Sequence, residues 1–165
     1  MKGLEPPDSH HVKAAQGWLT LGDAAEALGE LSKVSAECAE HSEVLRVRWD
    51  VLHQLKRGEE ALHVAQRLAV SAPEEAETWV RLANSYYYLK RMEDAYGCAK
   101  ESLVRFPLSS ALHYDLACYA CYLGRLDEAQ ELLRRSFQLD GAGRLQAWAR
   151  RDPDLEPLRQ RGGWE

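Results

Sequence analysis

The chain has 165 residues, with 21 Lys and Arg against 26 Asp and Glu, a formal charge of -5, 45% hydrophobic residues and 28% charged ones. That is the composition of a folded, soluble polypeptide, and no stretch approaches the roughly 18 consecutive apolar residues a transmembrane helix needs. The acidic balance speaks against a nucleic-acid binder, which must offer excess positive charge to displace phosphate counterions, and no membrane association is expected.

In chain order, residues 1–7 (Met1-Lys2-Gly3-Leu4-Glu5-Pro6-Pro7) carry no apolar run behind the lysine, so a flexible N-terminus and a cytoplasmic address are expected. In that compartment Cys38, Cys98, Cys118 and Cys121 are expected to be reduced thiols. Four helix–turn–helix units then follow with a 34-residue period, at 8–41, 42–75, 76–109 and 110–143. The first holds Ala14-Ala15, Trp18, Ala27 and Leu31, with Gly22-Asp23 at its turn. The second holds Trp49, Leu52, Ala61, Ala65 and Pro73, and the fourth Leu116-Ala117, Ala120, Ala129 and Leu133. Ala27, Ala61, Ala95 and Ala129 stand where paired helices cross closely and a larger side chain would push the backbones apart. Ser42 and Ser109-Ser110 are expected to cap first helices, Pro73 with Glu74-Glu75 to open the third unit, and Gly22, Gly58 and Gly124 to occupy the intra-unit turns. Isoleucine is absent and no strand signal is present. Residues 144–165 form an expected cap and tail: Leu145 and Trp148 face inward, Asp152-Pro153 ends the helix, and residues 161–165 fray.

The third unit reads Trp79-x-x-Leu82-Ala83-x-x-Tyr86, then Ala95, Ala99 and Pro107, and resembles the tetratricopeptide signature. The trailing Asp152-Pro153-Asp154-Leu155-x-Pro157-Leu158-Arg159 resembles the closing segment of many bacterial tetratricopeptide proteins. The resemblance implies an all-α fold, a right-handed superhelix of antiparallel helix pairs whose first helices line a concave groove that binds a peptide or partner helix. Carried over by repeat position, groove residues include Glu43, Arg46, Asp50, His53 and Gln54 in the second unit, Glu77, Val80, Asn84, Tyr87 and Tyr88 in the third, and Ala111, Tyr114, Cys118, Cys121 and Tyr122 in the fourth. Those expected to matter are Arg46, Asp50, His53, Glu77, Asn84, Tyr87, Tyr88, Tyr114, Cys118 and Tyr122. Tyrosine supplies contact area at low entropic cost, and Glu43, Asp50 and Glu77 against Arg46 favour a neutral or weakly basic peptide. Asn84 matches one position of the family's carboxylate clamp, but Val12, Gln16 and Asp50 stand where its cationic and amide groups belong.

Cys118-x-x-Cys121 invites a thiol or zinc reading. Cys118 lies well inside its helix, away from the N-terminal dipole that lowers a thiol pKa, and no further ligand pair completes a zinc shell. Neither a nucleophile elbow nor a phosphate loop is present, so no catalysis, cofactor or metal is expected. The expected function is a protein-interaction scaffold, monomeric or weakly dimeric through its cap. The alternatives are a small tetratricopeptide secretion or assembly chaperone and a thiol or zinc protein using Cys118 and Cys121.

Overall fold

Four small residues set the spacing of the helices: Ala27, Ala61, Ala95 and Ala129 are all buried. In a computed structural model, which describes residues 3–164, each sits on the second helix of an antiparallel pair. The pairs are α1 (Asp8–Thr20) with α2 (Ala24–Leu31), α3 (Ser42–Gln54) with α4 (Gly58–Ser71), α5 (Ala76–Tyr88) with α6 (Met92–Arg105), and α7 (Ser110–Tyr122) with α8 (Leu126–Asp140). First and second helices each restart every 34 residues. A six-residue helix α9 (Arg144–Ala149), a 3-10 turn (Pro153–Leu155) and α10 (Glu156–Gln160) follow, with no strand among the described residues.

The turn inside each pair is one motif repeated four times. Gly22, Lys56, Lys90 and Gly124 have φ of 84°, 57°, 61° and 73°. The amide of the following residue reaches back five positions, as in Asp23 to Trp18 (2.9 Å), Arg57 to Leu52 (2.9 Å), Arg91 to Tyr86 (2.9 Å) and Arg125 to Ala120 (2.8 Å). This is a Schellman closure, which satisfies carbonyls the helix end leaves open. Gly58 is therefore not the turn residue: it opens α4, and Lys56 takes the left-handed position.

Other local expectations also shift. Ser109 caps α7, its hydroxyl accepting from the Leu112 amide, but α3 is capped by His41, while Ser42 is buried and accepts from the Arg46 guanidinium. Pro73 lies outside α5, and its carbonyl accepts from the Trp79 indole at 2.9 Å.

The chain forms two compact units, Met1–Arg81 and Leu82–Glu165, divided within α5. In the first, Val12, Ala15, Ala27, Leu31, Val44, Val47 and Val51 form a core that also takes in Leu4. Leu4 is thus not frayed, and residues 1 and 2 of the expected flexible start lie outside the described residues. In the second, Leu116, Tyr119, Leu133, Ala149, Leu155 and Leu158 are essentially fully buried, each leucine contributing roughly 1.5–3 kcal/mol by leaving water. The inward stripe of α9 is Leu145 and Ala149, spaced i, i+4; Trp148 faces out and is 67% exposed, against expectation. The tail is ordered as well: Trp164 is buried against Phe137, and the Gln130 amide donates to the Gly163 carbonyl at 3.1 Å. Residue 165 lies outside the described residues.

Candidate functional site

In the N-terminal unit the expected groove residues are tied into ion pairs. Arg46 spans Glu75 (2.9 Å) and the Ser42 carbonyl and hydroxyl. Arg81, mostly buried, holds Asp50 at 3.3 Å and Glu77 at 3.1 Å, and its guanidinium lies 5.4 Å from the centre of the Trp49 ring. Burial pushes the Asp50 carboxyl up, with Arg81 opposing. His53 stacks parallel on Trp49, ring centres 5.1 Å apart, and burial lowers its pKa, with Asp50 opposing. Trp49 occupies the place held by Ala15, Ala83 and Ala117 in the other pairs, so this cluster is particular to the second. A cleft of about 450 Å³ between α1 and α3 is lined by Ser9, Val12, Lys13, Gln16, Glu43 and Arg46, among others.

In the C-terminal unit α5 and α7 bring Asn84, Tyr87, Tyr88, Tyr114, Cys118 and Tyr122 onto related turns, but only part of this set is open. Tyr88 and Tyr122 are 47% and 61% exposed. Tyr114 and Cys118 are buried, and Tyr87 is half-buried. What covers them is the segment after α9. The Tyr87 hydroxyl donates to Asp154 Oδ2 at 2.6 Å, and the Tyr114 hydroxyl to Asp152 Oδ2 at 2.8 Å. The Cys118 thiol contacts the same Asp152 oxygen at 3.9 Å. Beneath them, Asn84 joins the two helices by donating to Asp115 (3.1 Å) and accepting from the Tyr119 hydroxyl (3.0 Å).

Burial, reinforced by the hydrogen bonds to Asp154 and Asp152, holds the Tyr87 and Tyr114 phenols well above the usual range. Burial likewise drives the Cys118 thiol well up and Cys121 to about 11. These are the opposite of the shifts an attacking thiolate requires. Cys118, Asp152 and Asp154 do place a ligand atom each within 4.8 Å of one another, while a neutral hydroxyl already donates to each carboxylate. Asp115, Tyr119, Asp152 and Asp154 were not among the residues expected in the site. A capping role for residues 152–159 was legible, but not its approach to tyrosines 38 and 67 positions earlier.

Paired helices at a strict spacing, with aromatic side chains on successive first helices, define a helical-repeat interaction scaffold of the tetratricopeptide kind. Solved structures with this fold include the tetratricopeptide protein TTC0263 of Thermus thermophilus, with a TM-score of 0.77 at 18% identity over 95% of this chain and 84% of that one. MamA of Desulfovibrio magneticus RS-1, residues 41 to the end, gives 0.71 at 19% identity over 81% and 76%, and another MamA crystal structure 0.70 at 15% over 91% and 85%. The chain belongs to the ChAPs family, the Chs5p-Arf1p-binding proteins, whose family model matches residues 15–110. No curated protein matches the chain in sequence. No described helix is long and apolar enough to cross a membrane.

Proposed function

We propose that the chain is a non-catalytic scaffold that binds a peptide or a partner's helix on the face formed by the first helices of its pairs. The observation that carries this reading is the exposure of Tyr88 and Tyr122, at equivalent positions of α5 and α7, where large aromatic side chains contact solvent without serving the core. Membership of a family named for binding Chs5p and Arf1p supports a protein partner rather than a small molecule. On the N-terminal unit, Arg81 offsets Asp50 and Glu77 while Glu43 stays exposed, which suits a neutral or weakly basic segment. The raised thiols and the satisfied carboxylates support a role without catalysis, cofactor or metal. Trp148 offers an exposed apolar contact for weak self-association of an otherwise monomeric chain.

The test is capture of the native partner by wild type, by Tyr88→Ala with Tyr122→Ala, and by Glu43→Lys with Glu77→Lys. All four side chains are exposed or half-exposed, so helicity by circular dichroism is expected to be unchanged. Loss of the partner in either double variant supports the face. Equal retention by both would move the site elsewhere.

A further inference from the structure

Three of the buried or half-buried residues at groove positions, Tyr87, Tyr114 and Cys118, meet one short segment of the same chain. Asp152-Pro153-Asp154 approaches them with two carboxylates, and Asp152 Oδ1 accepts from the Asp154 amide at 3.0 Å, fixing the spacing of the pair. Leu155 and Leu158, fully buried, anchor the chain immediately beyond. Pro153 itself is exposed. The segment is thus held to this face by side-chain hydrogen bonds from two phenols and a thiol, and by Leu155 and Leu158, which share the buried cluster of Tyr114 and Cys118. Ligand atoms of Asp152, Asp154 and Cys118 lie within 4.8 Å of one another, so this face holds two carboxylates side by side, each met by a phenol donor.

We infer that Asp152–Asp154 is an intramolecular occupant of the α5 and α7 face, and that this face takes an acidic segment of the Asp-Pro-Asp kind, folded in the same 3-10 turn, from a partner, which displaces it. The inference rests on the reading of this face as the partner-binding surface and specifies only the ligand segment that meets α5 and α7; the preference for a neutral or weakly basic segment belongs to the N-terminal unit. The chemistry is that of neutral donors preorganised for two carboxylates separated by a proline. A tethered occupant acts at an effective concentration on the order of millimolar, so the wild-type chain binds such a segment weakly until its own is loosened.

The probe is a fluorescein-labelled peptide copying residues 150–160, read by fluorescence anisotropy against the full chain. Asp152→Ala with Asp154→Ala is expected to bind it at least about tenfold more tightly than wild type, because the competitor is gone. Tyr87→Phe with Tyr114→Phe keeps the rings, removes both donors and is expected to lose binding; a peptide with both aspartates replaced by alanine is expected not to bind. Native alkylation of Cys118, followed by mass spectrometry, is expected to be slowed by the peptide in the double aspartate variant, where the incoming carboxylate covers the thiol as Asp152 does in wild type. The inference is overturned if the double aspartate variant, equally helical, binds no tighter than wild type. It is also overturned if the alanine peptide binds as well, or if saturating peptide leaves Cys118 alkylation in the double aspartate variant unchanged. Failure of the broader reading would look different: a native partner retained by both the Tyr88 with Tyr122 and the Glu43 with Glu77 double variants.

Discussion

Cys118 and Cys38 differ in what surrounds them more than in what they are. Cys118 is buried beneath Asp152, and burial drives its thiol pKa well up, so thiolate is scarce at neutral pH and reagent access is poor. Cys38 is partly exposed. Iodoacetamide under native conditions at pH 8 is expected to label Cys118 at least about tenfold more slowly than Cys38, a difference that vanishes in urea. Comparable rates would mean that the face is open most of the time. His53 is a second residue whose surroundings set its behaviour. Burial against Trp49 lowers its pKa, so the unfolded chain binds the proton more readily than the folded one. Stability from this group is therefore present above about pH 6.5 and falls as pH drops below that value. His53→Phe, which keeps a stacked ring and removes the titration, is expected to lose less stability than wild type between pH 7.5 and pH 5 in urea melts. An unchanged difference would remove His53 from the acid limb. Sequence placed Cys118 deep in its helix and Tyr87, Tyr88 and Tyr114 on repeat positions, since 3.6-residue periodicity and the 34-residue period fix both. It could not show that Tyr114 meets Asp152, because a contact across 38 residues leaves no trace in a local pattern.

At the scale of elements, the repeated turn shows how backbone need and side-chain choice part company. Four turns require a left-handed residue, yet two use lysine, at Lys56 and Lys90, where an L side chain costs roughly 1–2 kcal/mol relative to the right-handed region. Lys56→Gly is expected to stabilise the chain by about 0.5–1 kcal/mol, the strain relieved exceeding the entropy glycine adds to the unfolded state. Lys90→Gly should gain less, because the Lys90 ammonium lies 5.5 Å from the centre of the Tyr87 ring and that contact would be lost. Urea denaturation midpoints order the two; a larger gain at Lys90 would contradict the account. Glycine at Gly22 and Gly124 marked its turns in the sequence, whereas Lys56 and Lys90 hid theirs, which is why Gly58 was the natural but mistaken choice. The cap misled for a related reason. In a six-residue helix both i, i+3 and i, i+4 stripes are available, and the larger Trp148 drew the pattern away from Ala149, the residue that packs.

For the molecule as a whole, stability in a helical-repeat fold is close to a sum of local terms and neighbour interfaces. Each unit has its own core, so damage should stay largely where it is made. Leu158→Ala removes a fully buried side chain from the C-terminal core and is expected to cost about 2–5 kcal/mol. Amide hydrogen exchange should quicken across residues 110–164 while α1 and α2 keep most of their protection. Uniform acceleration along the chain would show a single cooperative unit instead. A strict repeat also invites cutting and rejoining of its modules, since removing any 34 residues preserves helix phase. Trp49 forbids one such excision. Deleting residues 76–109 would replace Arg81 by Asp115, its counterpart one repeat later. A carboxylate would then lie over the electron-rich indole face and beside Asp50, where a guanidinium now serves both. The third pair therefore cannot be cut out cleanly while the second keeps Trp49 and Asp50, whereas excision of the second pair carries both away with it.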